Sequence, residues 1–287
     1  MSIVVTGATG HLGRLVVEHL LADGVPAEQV VATGRRTERL ADLAERGVRV
    51  AAVDYDSPET LVAALEGADV VLLVSGSEVG RRVPQHRAVV EAAVAAGARR
   101  LVYTSAPHAD ASPLVLAPEH KATEEIIRAS GLTFTLLRNG WYTENYLGDV
   151  QQARESGEIV AAVGDGRVAS APRDDFAAAA AVVLRTEGHD DAVYELAGDV
   201  AWSFDELAAA ASEVLGRPVV FRAVTSEQRR ADLLAAGLDE GTAGFVVALD
   251  ENTRDGLLAG GTDDLSRLIG RPTTPLVDGL RAALAEG

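Results

Sequence analysis

Two rhythms of apolar and polar positions run along the chain. Short, predominantly apolar stretches run through residues 3–5, 29–33, 49–53, 69–74, 100–104 and 133–138, as expected of strands covered on both faces of a sheet. Between them, apolar residues recur at helical spacing, as in residues 12–21, 84–96 and 118–130. Strands that alternate with helices in this way predict an α/β fold, a doubly wound parallel sheet of the Rossmann type with right-handed crossovers. Six such units are complete by residue 138.

Past residue 140 the alternation fails. Residues 141–156 read as mostly helical, Gly164-Asp165-Gly166 as a turn, and 174–186 as a helix capped by an acid that contains the alanine run 177–181. A strand at 192–197 is expected to return to the main sheet. Ser203 with Glu206 three residues on is a capping box for a helix over 203–215. A strand follows at 219–224, and the remainder is helical and glycine-interrupted. The expected organisation is a Rossmann domain over 1–140, rejoined by the strand near 192–197. A smaller, interleaved C-terminal α/β subdomain over 141–287 should bind the substrate, with the ligand cleft between the two parts.

The turn after the first strand carries candidate chemistry. Gly7, Gly10 and Gly13 are spaced G-x-x-G-x-x-G between strand and helix. Gly7 suits a tight turn, Gly10 lets backbone approach a pyrophosphate, and Gly13 allows helix–strand packing, with phosphate on the helix N-terminus. At the end of strand two, where an acid would bind the ribose 2′-hydroxyl of NAD, stands Arg35, with Arg36 and Arg39 beside it. Guanidinium groups pair with a 2′-phosphate, so NADPH is the expected cofactor; the alternative is an ordinary charged helix start. Asp54, after strand three, suits the adenine amino group. Ser57 before Pro58 is the expected N-cap of the next helix. Ser75-Gly76-Ser77 ends strand four, at the carboxyl edge where such sheets bind ligands.

Carbonyl reduction on such a scaffold uses a tyrosine with a lysine four residues later, the lysine lowering the tyrosine pKa. Here Lys121 is the only lysine, Ala117 stands four residues before it, and none of the five tyrosines has a lysine at plus four. His120 has Glu124 at i+4 on the same helical face. A nearby carboxylate would raise its pKa and make it a candidate proton donor; the alternative is an exposed, inert capping histidine. His108 is a second candidate. After strand six, Asn139, Trp141, Tyr142, Asn145 and Tyr146 lie within eight residues in a chain with 4% aromatics. Flat rings here suit a conjugated substrate, or pack the subdomain junction.

Composition narrows the partners. With a formal net charge of −17 the chain is not expected to bind nucleic acid or an anionic membrane surface. It has no cysteine, which removes disulfides and thiolate chemistry, and no metal-ligating signature, so no metal is expected. No apolar run approaches the roughly 18–20 residues needed to cross a bilayer, and a soluble cytoplasmic protein, with a homodimer as one assembly open to it, is expected.

The segments Thr6–Gly13, Ser75–Gly80, Pro84-Gln-His-Arg87 and Tyr103-Thr-Ser105 resemble the NmrA-like branch of atypical short-chain dehydrogenases. Leu136-Leu-Arg-Asn-Gly-Trp-Tyr-Thr-Glu-Asn-Tyr146, Tyr194-Glu-Leu-Ala-Gly198 and Leu268-Ile-Gly-Arg-Pro-Thr-Thr274 resemble bacterial flavin-free quinone oxidoreductases. The resemblance implies NADPH as hydride donor and a quinone as acceptor, or, as for other NmrA-like proteins, an NADP(H) sensor without turnover. It also implies His120 where many relatives carry lysine. The expected cofactor residues are Gly7, Thr9, Gly10, His11, Leu12, Gly13, Arg35, Asp54, Tyr55, Ser75, Gly76, Ser77 and Thr104. Ser75, Asn139, Trp141, Tyr142, Asn145 and Tyr146 are expected around the acceptor.

Overall fold

A computed structural model of the chain describes residues 1–286 apart from Ser77 and Val79. The first half lays down β1 (Ile3–Val5), α1 (His11–Ala22), β2 (Val30–Gly34), α2 (Ala41–Glu45), β3 (Arg49–Ala52) and α3 (Pro58–Leu65). It continues with β4 (Val70–Leu73), α4 (Arg82–Ala95), β5 (Arg100–Ser105), α5 (Ala117–Ala129) and β6 (Thr133–Asn139). Beyond them come α6 (Leu147–Ser156), β7 (Glu158–Ala161), β8 (Arg167–Val168), α7 (Arg173–Arg185), β9 (Ala192–Leu196), β10 (Trp202–Ser203) and α8 (Phe204–Leu215). The chain ends with β11 (Val220–Ala223), α9 (Ser226–Ala235), α10 (Glu240–Arg254), α11 (Asp264–Ile269) and α12 (Leu276–Glu286).

Seven strands form one parallel sheet in the order β3-β2-β1-β4-β5-β6-β9. The order reverses between β1 and β4, the switch point at which open α/β sheets bind ligands. The apolar runs explain the layering. Ile3 and Val5 face one core with Leu72, Val102 and helices α1 and α7, while Val4 faces the other with Val71, Leu73 and helices α3, α4 and α5. A strand buried on both faces has no room for polar alternation, hence the wholly apolar β1 and β4. The alanine run lies in α7, where Ala177, Ala179, Ala180 and Ala181 are buried in the core that α7 shares with α1. A third core, with Tyr146, Val150, Ile159, Trp202, Phe204 and Leu207, belongs to the C-terminal elements, among which β11 pairs β7 and β10 pairs β8. Among the described residues no helix is long and apolar enough to cross a membrane.

The capping expectations divide. Ser203 accepts from the Glu206 N–H and Glu206 accepts from the Ser203 N–H, a complete capping box. Ser57 occupies the N-cap of α3 but its hydroxyl makes no cap bond; instead the Thr60 hydroxyl donates to the Ser57 carbonyl at 2.7 Å. No acid caps α7. Pro172 holds that N-cap, Asp174 pairs with His19 on α1 at 2.7 Å, and the buried Asp175 accepts from Arg271 and Thr274. These carboxylates are drawn into tertiary contacts.

Candidate functional site

At the switch point the turn from β1 to α1 is shaped by its glycines. Gly7 has φ +63°, and a Cβ on Gly13 would lie 2.6 Å from the Gly7 carbonyl oxygen, so only glycine lets α1 approach the loop this closely. Gly10 is the N-cap of α1. No side chain caps it and no acid lies in the first turn, leaving the helix-terminal amides and dipole open to an anion. His11 is exposed and Leu12 buried. A Cβ on Gly34 would meet Thr9 Oγ1 at 2.5 Å, so the end of β2 is pressed against the loop.

Arg35 follows directly, 66% exposed, with Nη1 3.2 Å from Glu78 Oε1. Glu78 also pairs with Arg81, which reaches Asp56 at 2.8 Å. Asp54 accepts from the Asp56 N–H. Tyr55 turns its hydroxyl onto Thr6 Oγ1 at 2.7 Å, and burial pushes its pKa up to about 12. That hydroxyl serves as a tie between β1 and the loop after β3. Ser75 donates its N–H to Thr104 Oγ1 at 2.9 Å, joining the ends of β4 and β5. Ser77 lies outside the described residues.

His120 departs from both expectations. It is 5% exposed, on the inner face of α5, with Nδ1 2.8 Å from the Tyr103 hydroxyl. Burial, aided by Arg82 and His86, pulls its pKa down to about 3, the opposite of the expected rise. The carboxylate of Glu124 is taken instead by Arg138, which donates Nε at 2.9 Å and Nη2 at 2.7 Å, and by the Ser105 hydroxyl at 2.7 Å. His120 is therefore a neutral buried imidazole, neither an exposed cap nor a carboxylate-assisted proton donor. His108, at φ +46°, has Nδ1 3.2 Å from Glu195.

Acid should reveal this burial. The folded pKa values of His86 and His120, about 4 and about 3, lie below the ordinary value of 6.5. Below pH 6.5 the unfolded state binds more protons, so stability present above that pH is lost as the pH falls toward these values. His19 beside Asp174 acts in the opposite sense: its pKa is raised, chiefly by that hydrogen bond, and its contribution is lost as the pH rises. His86 and His120, joined by His189, whose pKa burial also lowers, are expected to set the trend against the single opposing pair of His19 with Asp174. Thermal melts are expected to fall steeply from pH 6.5 to 4.5, and His86→Gln should flatten the decline. A decline of equal slope in the variant would refute the assignment.

The aromatic cluster after β6 is split by the structure. Asn139 donates Nδ2 to the Tyr142 hydroxyl at 3.1 Å, and its buried Oδ1 has no partner among the described residues. Tyr142 stacks edge-on against Phe176, with Arg173 over its ring, at the rim of the main core. Tyr146 packs edge-on against Trp202 and Phe204 in the third core. Trp141, Asn145 and Tyr146 meet on a cavity of about 310 Å³, with Phe204, Leu233 and Leu249 among its other walls. Asn145 Oδ1 accepts from Arg173 Nη2. A more open groove of about 570 Å³ between α4 and α5 contains none of the expected site residues.

Sequence reasoning missed the polar end of the 310 Å³ cavity. Asp149, Arg229 and Asp250 reach it from α6, α9 and α10. Arg229 Nε is 3.4 Å from Asp250 Oδ2, and burial raises the pKa of both carboxyls. The only local signal was Asp149, which follows Asn145 by four residues, across the turn that leads into α6.

The uncapped α1 amides, the cleft-forming glycines and the cationic end of β2 together fit a phosphorylated dinucleotide. A family model described as NAD(P)H-binding matches residues 7–187. Quinone oxidoreductase 2 of Escherichia coli is 46% identical over 276 residues, 96% of either chain. The structure of an NADPH-dependent quinone oxidoreductase from Escherichia coli complexed with NADPH superposes with a TM-score of 0.93 at 45% identity, covering 98% of this chain and 99% of that one. A triphenylmethane reductase from a Citrobacter species superposes with a TM-score of 0.93 at 40% identity, covering 99% and 100%.

Proposed function

The chain belongs to the NAD(P)H-binding family, and from that premise we infer that it is an oxidoreductase that transfers hydride from NADPH to a quinone. One observation carries the reading: a dinucleotide cradle with Arg35 where an acid would select NADH stands beside a site whose candidate acid, His120, is buried and neutral. NADPH, when bound, supplies the hydride. The uncapped amides of α1 would hold its diphosphate, Arg35 its 2′-phosphate and Asp54 its adenine. Trp141, Tyr146 and Phe204 form aromatic walls that suit a flat conjugated ring.

A quinone asks little of the protein by way of acid. Its reduction gains an aromatic ring, and the hydroquinone oxygens take their protons from water. In this reading His120 braces Tyr103 through the 2.8 Å contact of its Nδ1 with the Tyr103 hydroxyl, and the acceptor needs no proton from it. The direct test mixes enzyme, NADPH and a small 1,4-quinone without flavin; stoichiometric hydroquinone is expected, and its absence would sink the reading. The expected setting is soluble and cytoplasmic, with the quinone as small-molecule partner.

The cofactor assignment has its own test. Arg35→Ala should raise the KM for NADPH about tenfold, the scale of one charge-assisted pair worth about 1.5–3 kcal/mol, and leave that for NADH nearly unchanged. Glu78→Gln releases Arg35 from its ion pair and should lower the KM for NADPH. Equal weakening of both cofactors by Arg35→Ala would count against the 2′-phosphate role.

A further inference from the structure

The peptide of Gly76, the first glycine after β4, is held at both of its polar atoms. Its N–H donates to His86 Nε2 at 2.9 Å, and its carbonyl accepts from Arg82 Nε at 2.5 Å. Arg82 and His86 stand four residues apart on one face of α4, 8% and 0% exposed. Because a backbone N–H only donates, the imidazole proton must sit on Nδ1, which faces Thr123 Oγ1 at 3.0 Å; the Thr123 hydroxyl in turn donates to the Glu119 carbonyl at 2.9 Å. Glu119 pairs with Arg82 at 3.3 Å and accepts from the Gly80 N–H at 2.9 Å. One polar cluster, buried at Arg82, His86 and Thr123 and partly exposed at Glu119, therefore ties down both Gly76 and Gly80.

Such a cluster is costly to assemble. Histidine and arginine seldom go fully inside unless their polar atoms are matched, and apolar residues would serve if α4 only had to pack on the sheet. What this cluster fixes is a backbone peptide at the switch point. β4 lies beside β1 on the side opposite β2, so Gly76 and Arg35 flank the glycine loop on opposite sides. With the 2′-phosphate end of a dinucleotide at Arg35, the other half extends over β4.

We propose that His86, together with Arg82, is a positioning residue for the nicotinamide half of the dinucleotide: it fixes the Gly76 peptide that this half lies against. The proposal rests on the dinucleotide reading above. His86 is 0% exposed and acts through the Gly76 backbone. Its single proton on Nδ1 makes it an acceptor toward Gly76, a task that phenylalanine cannot perform and the glutamine carbonyl can.

The test is titration calorimetry with two ligands, NADP⁺ and 2′,5′-ADP, the second lacking the nicotinamide half. His86→Phe keeps an aromatic ring beside Tyr103, whose ring lies edge-on at 5.5 Å, but leaves the Gly76 N–H without a partner. It should weaken NADP⁺ binding about tenfold, the scale of an unsatisfied buried donor, with 2′,5′-ADP unchanged; His86→Gln should restore most of the loss. Arg82→Lys, which keeps the charge and loses the Nε donor, should show the same selective weakening and supplies the answer if His86→Phe does not fold by circular dichroism. Equal weakening of both ligands, or full NADP⁺ affinity in His86→Phe and Arg82→Lys, would overturn the proposal. If the wild type bound 2′,5′-ADP but not NADP⁺, the positioning role would fall while the Arg35 assignment stood. Binding of neither ligand would overturn the dinucleotide reading itself.

Discussion

Replacing Arg138 by methionine is expected to destabilise the protein by about 3–5 kcal/mol, the cost of leaving a buried charge without its partner. Arg138 is 5% exposed and Glu124 3%. The guanidinium meets the Glu124 carboxylate with two parallel hydrogen bonds and shares its remaining nitrogen between Glu195 at 2.9 Å and Asp110 at 2.8 Å. The pair binds α5 to β6 directly beneath the carboxyl edge of the sheet, and Glu195 links it to β9. Methionine fills the stem volume but leaves the Glu124 carboxylate with only the Ser105 hydroxyl. Urea unfolding should report the loss, and the double variant Arg138→Met with Glu124→Gln should recover a substantial part of it. A loss under 1 kcal/mol in the single variant, the range of an exposed pair, would contradict the buried-network account.

The second large effect is expected at Gly13. An alanine Cβ there would lie 2.6 Å from the Gly7 oxygen, 2.8 Å from its carbonyl carbon and 3.0 Å from the Ala8 Cα. All three are backbone atoms of the loop, so relief requires moving the loop or the helix. Gly13→Ala should cost about 1–3 kcal/mol of stability, as overpacking does. It should weaken NADPH binding on the order of a hundredfold, about 2.7 kcal/mol, because the displaced loop carries the phosphate-binding amides. Gly10→Ala is the control for stability alone: its added Cβ would meet only the Gly7 oxygen, at 3.3 Å, and its loss of stability should be markedly smaller. Equal losses of stability at the two positions would show that the close approach at Gly13 does not strain the loop.

The sheet was legible because strands covered on both faces leave continuous apolar runs, and Ile3–Val5 or Val70–Leu73 can be little else. Arg35 was legible from its place at the end of β2, but its ion pair with Glu78, forty-three residues away, was not. His120 shows the limit most clearly. The i+4 spacing says that His120 and Glu124 share a helical face; it does not say that the face is buried, nor that Arg138 from β6 captures the carboxylate. The pKa moved down for that reason. The aromatic cluster is divided because neighbours in sequence diverge in space: the short turn Thr143–Tyr146 sends Tyr142 to the main core and Tyr146 to the third. Asp149, Arg229 and Asp250 were invisible as a group, since only the packing of α6, α9 and α10 brings them to one cavity.

The measurement that tests the account most directly is steady-state oxidation of NADPH and of NADH by the purified, flavin-free protein across a panel of small quinones. Quinone-dependent loss of NADPH absorbance is expected with several of them, with kcat/KM clearly higher for NADPH than for NADH. Tight binding of NADPH without turnover of any quinone, or turnover that favours NADH, would contradict it.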